Sequence, residues 1–123
     1  MENITMQTFY TDDIIIREGE NYDEMYKIIH GSVAVYLCYG KMEEHLIGIY
    51  SESECFGEMN VLSGQPSIYT VIAYDEVQLM RIKKDSLEEF IRDNPQSAIG
   101  IMQNMAHLVM LMQKNIGLLL DEF

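Results

Sequence analysis

The residues of this chain best placed to do chemistry lie between Gly57 and Tyr69. Gly57-Glu58-Met59-Asn60-Val61-Leu62 has helical spacing and stops at Ser63-Gly64-Gln65-Pro66, which predicts a short helix. The first backbone amides of a helix have no partner within it, and they favour an anion. Gly57 allows close approach to the backbone there. Glu58 adds a carboxylate in the first turn, where it also complements the helix dipole. Further on, Ser67 offers an uncharged hydroxyl, followed by Ile68 and Tyr69. On a strand, Ser67 and Tyr69 would point the same way, because successive side chains alternate. The exposed amides at the start of such a helix could bind an anion.

Other chemistries find little support. His30, His45 and His107 are far apart and form no H-x-H pair, so no metal site is expected. Cys38 and Cys55 form no C-x-x-C motif and read as free thiols. Ser63-Gly64 lacks the pattern of a nucleophile elbow. No catalytic residue is assigned, and the chain is not expected to be an enzyme. A cupin-type metalloenzyme is the weaker alternative, since cupins also build rolls of short strands.

Charge narrows the partners. The 123 residues carry a net charge of −12, with 20 acids against 8 bases. Nucleic-acid affinity rests on Lys and Arg neutralising phosphates, so no nucleic acid is expected. The same charge repels anionic membranes. The apolar-rich stretch Ala98 to Leu120 is broken by Gln103, Asn104, His107, Gln113, Lys114 and Asn115, so no membrane span is expected. Met1 to Tyr10 has no basic start and no apolar run, and a cytoplasmic location is expected.

The elements that would position these residues are mainly strands. Ile14–Ile16, Met25–Ile29, Val33–Leu37, Leu46–Tyr50, Ser67–Tyr74 and Val77–Lys83 are β-rich runs separated by turn residues. Regular short strands with glycine turns predict a sandwich, roll or barrel. Asp85 or Ser86 can cap a helix running to Asp93, and Asn94-Pro95 breaks it. Pro95 then suits the first turn of a long helix over about residues 96–120. That helix carries apolar residues on more than one stripe. One face is expected against the roll and another, with Met102, Met105, Val109, Met112 and Ile116, against a partner helix in a homodimer.

Phe56 to Val71 reads FGEMNVLSGQPSIYTV. It resembles the phosphate-binding cassette of the cyclic-nucleotide-binding domain family, whose pattern is F-G-E, a short helix, then P-R-x-A-T-V. Ile16-Arg17-Glu18-Gly19-Glu20 resembles the family's early E-G-x turn. Tyr26 to Val33 resembles its Y-x-I-x-x-G-x-V hairpin. The resemblance covers residues 13 to 118 and extends to catabolite activators and regulatory subunits of cyclic-AMP-dependent kinase. It implies one domain over 1–123, with a roll at about 8–84 and helices at about 85–121. The implied fold is mainly β: an eight-stranded, jelly-roll-like double-stranded β-helix with a short cassette helix and a long C-terminal dimer helix. About ten residues precede the roll, so the family's leading helix would be reduced to a stub.

The resemblance also assigns a pocket. Gly57, Glu58, Met59, Asn60, Ser67, Ile68 and Tyr69 would line it. Glu58 would take a sugar hydroxyl, and the amides of Met59 and Asn60 with the Ser67 hydroxyl would take a phosphate. Leu111, Met112 and Gln113 stand where the dimer helix would face a purine. The family's arginine is Ser67 here. A hydrogen bond to a charged group contributes about 1.5–3 kcal/mol against about 1 for a neutral one, so cyclic AMP or GMP should bind weakly or not at all. No cofactor is required; a cyclic nucleotide or another small molecule is the ligand class implied. Function is expected to be non-catalytic and regulatory or sensory, with signal passing through the long helix to an output protein not identifiable from the sequence. The sequence stops at Phe123, near where a catabolite activator begins its DNA-binding domain, and direct action on DNA is not expected. The alternative is a dimeric interaction module without ligand, whose signature would be a pocket filled by Tyr69 and methionines.

Overall fold

A computed structural model describes the backbone of residues 4–121 and the side chains of residues 5–114. Eight strands form two antiparallel four-stranded sheets. They are β1 (Ile4–Phe9), β2 (Ile14–Ile16), β3 (Glu24–His30), β4 (Val33–Leu37), β5 (His45–Tyr50), β6 (Cys55–Phe56), β7 (Thr70–Ala73) and β8 (Val77–Lys83). One sheet has the order β1-β8-β3-β6 and the other β2-β7-β4-β5. The first half of each strand set interleaves with the second, as a roll requires. The inward positions of the two sheets, among them Ile16, Ile28, Val33, Val35, Val71 and Leu79, make one apolar core.

Three helices complete the fold. The first, α1 (Glu58–Ser63), lies between β6 and β7. It is too short to be stable alone, and burial of Glu58, Asn60 and Val61 holds it in place. Gly57 and Gly64 bracket it, both left-handed, with φ of 86° and 72°. A Cβ on Gly57 would come within 3.1 Å of Ile16 Cδ1, a tight fit, and the left-handed backbone is what calls for glycine there. After β8, a 3-10 turn at Lys84–Ser86 leads into α2 (Leu87–Asp93), and α3 spans Pro95–Asp121. Asn94 closes α2 by donating its backbone N–H to Phe90 O at 2.9 Å.

Two sequence expectations need correction. Residues 4–9 are not the stub of a helix but strand β1, paired along its whole length with β8. Its Thr5, Gln7 and Thr8 gave no apolar alternation to read. The strand expected from Ser67 to Tyr74 is shorter, because Ser67–Tyr69 form a bend. The Ser67 hydroxyl donates to Tyr69 O at 2.7 Å and accepts from Tyr69 N–H at 3.3 Å. Such local bonds replace the ladder. Of the residues assigned to a dimer face on α3, Met102 and Val109 are exposed, whereas Met105 and Met112 are half-buried, Met105 against a second cluster with Met25, Ile82 and Phe90 and Met112 against the core. Ile116, also assigned to that face, has its side chain outside the described residues.

Candidate functional site

The cassette begins where β6 ends. Phe56 is buried and its ring stacks on Tyr26, with centroids 5.2 Å apart. This anchors the chain just before the left-handed turn at Gly57. The far end of the cassette is tied to the early E-G turn. Gly19 N–H donates to Ser67 O at 2.8 Å, and Ser67 N–H donates to Glu20 O at 2.9 Å. Glu18 N–H donates to Thr70 Oγ1 at 3.1 Å. Two turns distant in sequence therefore hold the segment from Ser67 to Thr70.

Tyr69 closes the site. Its ring belongs to the roll core and is 4% exposed. The Gly57 N–H donates to its hydroxyl oxygen at 3.0 Å. An amide at the mouth of α1, of the kind that would meet a ligand anion, is thus already bonded within the chain. Met59, Ile68 and Tyr50 pack against the same core. From α3, Leu108 belongs to that core and Met112 packs against it, so the long helix touches the cluster that contains Tyr69.

Glu58 lies inside this closed region with 3% of its surface exposed. Its Oε2 has no hydrogen-bond partner among the described residues. Burial disfavours the charged form and pushes the carboxyl up to about 7, against a smaller pull from its own backbone amide. No arginine offsets this. The three arginines pair elsewhere: Arg17 with Glu20, Arg81 with Glu24 and Arg92 with Glu88. Tyr50 and Tyr69 feel the same carboxylate. Burial first, and then the Glu58 charge, moves Tyr50 up to about 12 and Tyr69 well above the usual phenol range.

The seven residues assigned to the pocket therefore divide. Gly57, Glu58, Ser67 and Tyr69 meet in a buried cluster, with the Ser67 hydroxyl spent on its own bend. Met59 and Ile68 pack beside it. Asn60 does not join. Two residues on from Glu58, it lies on the opposite side of α1, and its Nδ2 donates to Tyr22 O at 2.9 Å. It lines a separate cavity of about 510 Å³ with Asn21, Asp23 and Lys84. A second cavity, about 540 Å³, borders Leu111 and Gln113 on α3, and a third, about 210 Å³, borders Cys55 and Ser97. None of these three is lined by Gly57, Glu58, Ser67 or Tyr69.

Tyr50 and Leu108 escaped the reading of the sequence. For Tyr50 the signal was available: it sits opposite inward-facing Val33, so strand alternation turns it inward. Leu108 had no signal of its own among so many apolar residues on α3. His30, His45 and His107 fall on β3, β5 and α3, and among the described residues no three His, Cys, Asp or Glu side chains are grouped to hold a metal. Among the same residues, no helix is long and apolar enough to cross a membrane.

Two interleaved sheets, an F-G-E turn opening a short inserted helix and a long terminal helix together point to one family. Residues 6–94 match the cyclic nucleotide-binding domain, and the chain belongs to that family. It is 27% identical over 112 residues to the potassium channel AKT2 of Oryza sativa subsp. japonica, a match covering 90% of this chain and 13% of the channel. It is 26% identical over 103 residues to a CRP-like cAMP-activated global transcriptional regulator of Mycobacterium tuberculosis, covering 84% of this chain and 46% of the regulator. The chain thus spans less than half the length of these relatives. The crystal structure of the Thermus thermophilus catabolite activator protein superposes with a TM-score of 0.69 at 20% identity, covering 98% of this chain and 55% of that one.

Proposed function

We propose that the chain is a non-catalytic regulatory module of the cyclic-nucleotide-binding type whose ancestral nucleotide site is closed by its own Tyr69. The observation that carries this reading is the bond from Gly57 N–H to the Tyr69 hydroxyl, made by a ring buried in the core. Three further features support it. Ser67 stands at the arginine position with its hydroxyl already bonded. Glu58 has no cation beside it and would repel a phosphate. Met59 and Met112 fill the surrounding space. A cyclic phosphate would have to displace Tyr69 and bring its charge next to Glu58, with no guanidinium to offset the cost.

Output in this reading runs through α3. Leu108 and Met112 sense the packing around Tyr69, while Ile99, Met102, Val109 and Met110 leave an apolar face in solvent. That face suits a second copy of the same helix, which makes the module a homodimer that needs no cofactor and acts in the cytoplasm on another protein. Two arrangements of α3 against the core would provide the signal.

Calorimetric titration with cyclic AMP and cyclic GMP tests the closed site. No heat is expected at millimolar nucleotide. Micromolar binding of either overturns the reading. The Ser67→Arg, Tyr69→Ala double variant sharpens it, since restoring the guanidinium and removing the ring should produce measurable affinity.

A further inference from the structure

The second sheet ends in an open strand. In the order β2-β7-β4-β5, β5 pairs with β4 and with no other strand among the described residues. An edge strand presents unpaired N–H and C=O groups that can pair with another chain, and proteins usually guard such edges with shortness, charge or proline. Among the described residues the roll has four such edges. Two are guarded by length, since β2 has three residues and β6 two. The third, β1, carries polar Thr5, Gln7 and Thr8. The fourth, β5, has six residues, His-Leu-Ile-Gly-Ile-Tyr, with no Asp, Glu, Lys, Arg or Pro among them.

The face beside that edge is apolar as well. Register places Ile14, Ile72, Ala34 and Ile49 in one row across all four strands. Alternation turns this row to the opposite side from Val33, Val35 and Val71. Ala34 and Ile72 in its middle are buried, but at the open edge Ile49 stands 46% exposed, and Leu46, opposite Tyr36 in the next outward row, 45%. Unpaired backbone and accessible side-chain anchors together are what strand addition uses, the first for affinity and the second for selectivity.

Charge decides the occupant. Glu43 and Glu44 precede β5, and Glu52 and Glu54 follow it, against Lys41 alone nearby in sequence. If two copies paired antiparallel through β5, Glu43 and Glu44 of one would lie alongside Glu52 of the other. Like charges across strands are destabilising. A strand with basic ends instead meets carboxylates at both ends, and the net charge of −12 would speed its approach. We infer that β5 is a docking edge for an extended segment of another protein, one that alternates apolar residues and carries lysine or arginine at its two ends. The outward side chains Leu46 and Ile49 lie on the opposite face of β5 from Tyr50, which packs against the core that holds Tyr69.

A synthetic peptide alternating valine and threonine, with paired lysines at each end, is the probe, and the same peptide with paired glutamates is its control. Amide NMR of the full chain should show the lysine peptide shifting residues 45–50. The glutamate peptide should bind at least tenfold more weakly, and Ile49→Lys should weaken the lysine peptide at least tenfold while leaving the thermal midpoint unchanged. Leu46→Lys provides a second variant with the same expectation. Equal binding of the two peptides, or no shift along β5, overturns the inference. So does a dimer that Ile49→Lys dissociates and Val109→Lys leaves intact, because the occupant would then be a second copy.

Discussion

The cassette and the long helix α3 solve opposite problems. In the cassette the chain has turned inward: Gly57, Glu58, Ser67 and Tyr69 are buried, and amide and hydroxyl groups that could meet a ligand bond to each other. On α3 the reverse holds. Ile101 and Leu108 are buried, yet Ile99, Met102, Val109 and Met110 remain in solvent. A polar site has been closed while apolar surface has been left open. The difference is what the proposed function rests on: a closed cassette beside an open helix face.

The largest effect should come from removing the ring that closes the cassette. Tyr69→Ala deletes a buried aromatic and should destabilise the roll by about 3–5 kcal/mol, read by urea denaturation. A cost below about 1 kcal/mol would mean the ring is not part of the core, and the contrast with α3 would fail. Next in size is Glu58. Its carboxyl is held at about 7 in the folded chain against an ordinary value of 4.5. Between these values the folded chain keeps a proton that the unfolded chain has released. Stability attributable to Glu58 therefore falls as pH rises through that window, and the full penalty is present above about 7. Glu58→Gln should remove a penalty of about 3 kcal/mol at pH 8 and leave stability at pH 4 nearly unchanged. Thermal melts of both proteins at the two pH values check this; equal gains at both would show that the carboxyl is not the source.

Tyr69→Phe is subtler. It keeps the ring but leaves the Gly57 amide without an acceptor, a loss of about 1–3 kcal/mol. Hydrogen exchange at the Gly57 amide should quicken in this variant, and unchanged protection would remove the bond from the account. The smallest effect on folding is expected on the open side. Met102→Lys with Val109→Lys should change monomer stability by less than about 0.5 kcal/mol, since both side chains are exposed. Sedimentation should nonetheless show a dimer turned to monomer. A dimer that survives would place the contact elsewhere.

Much of the roll was legible in the chain. Val33–Leu37 and Val77–Lys83 appear as strands with the bounds their β-branched runs announce, and Asn94-Pro95 separates α2 from α3 as the geometry before proline requires. Gly57 and Gly64 mark the ends of α1 because only glycine takes the left-handed backbone there without strain. Strand β1 was not legible, since its polar residues carry no periodic signal and pairing with β8 alone makes it a strand. That α3 would have two faces was legible, but which residues pack was hidden, because Met102 and Met105 are both methionine and differ only in what lies opposite.

By itself, the order of residues determined the helix stops, the turn glycines, the family pattern and the absence of arginine at Ser67. These are local properties, set by backbone sterics and by which groups each side chain carries. The tertiary structure alone decided that Tyr69 would reach back across the cassette to Gly57, that Asn60 would face the other side of α1, and that Glu58 would be buried with its Oε2 unpartnered among the described residues. Those outcomes depend on distances between segments far apart in the chain, and burial and hydrogen bonding are energies of the packed arrangement rather than of any residue in it.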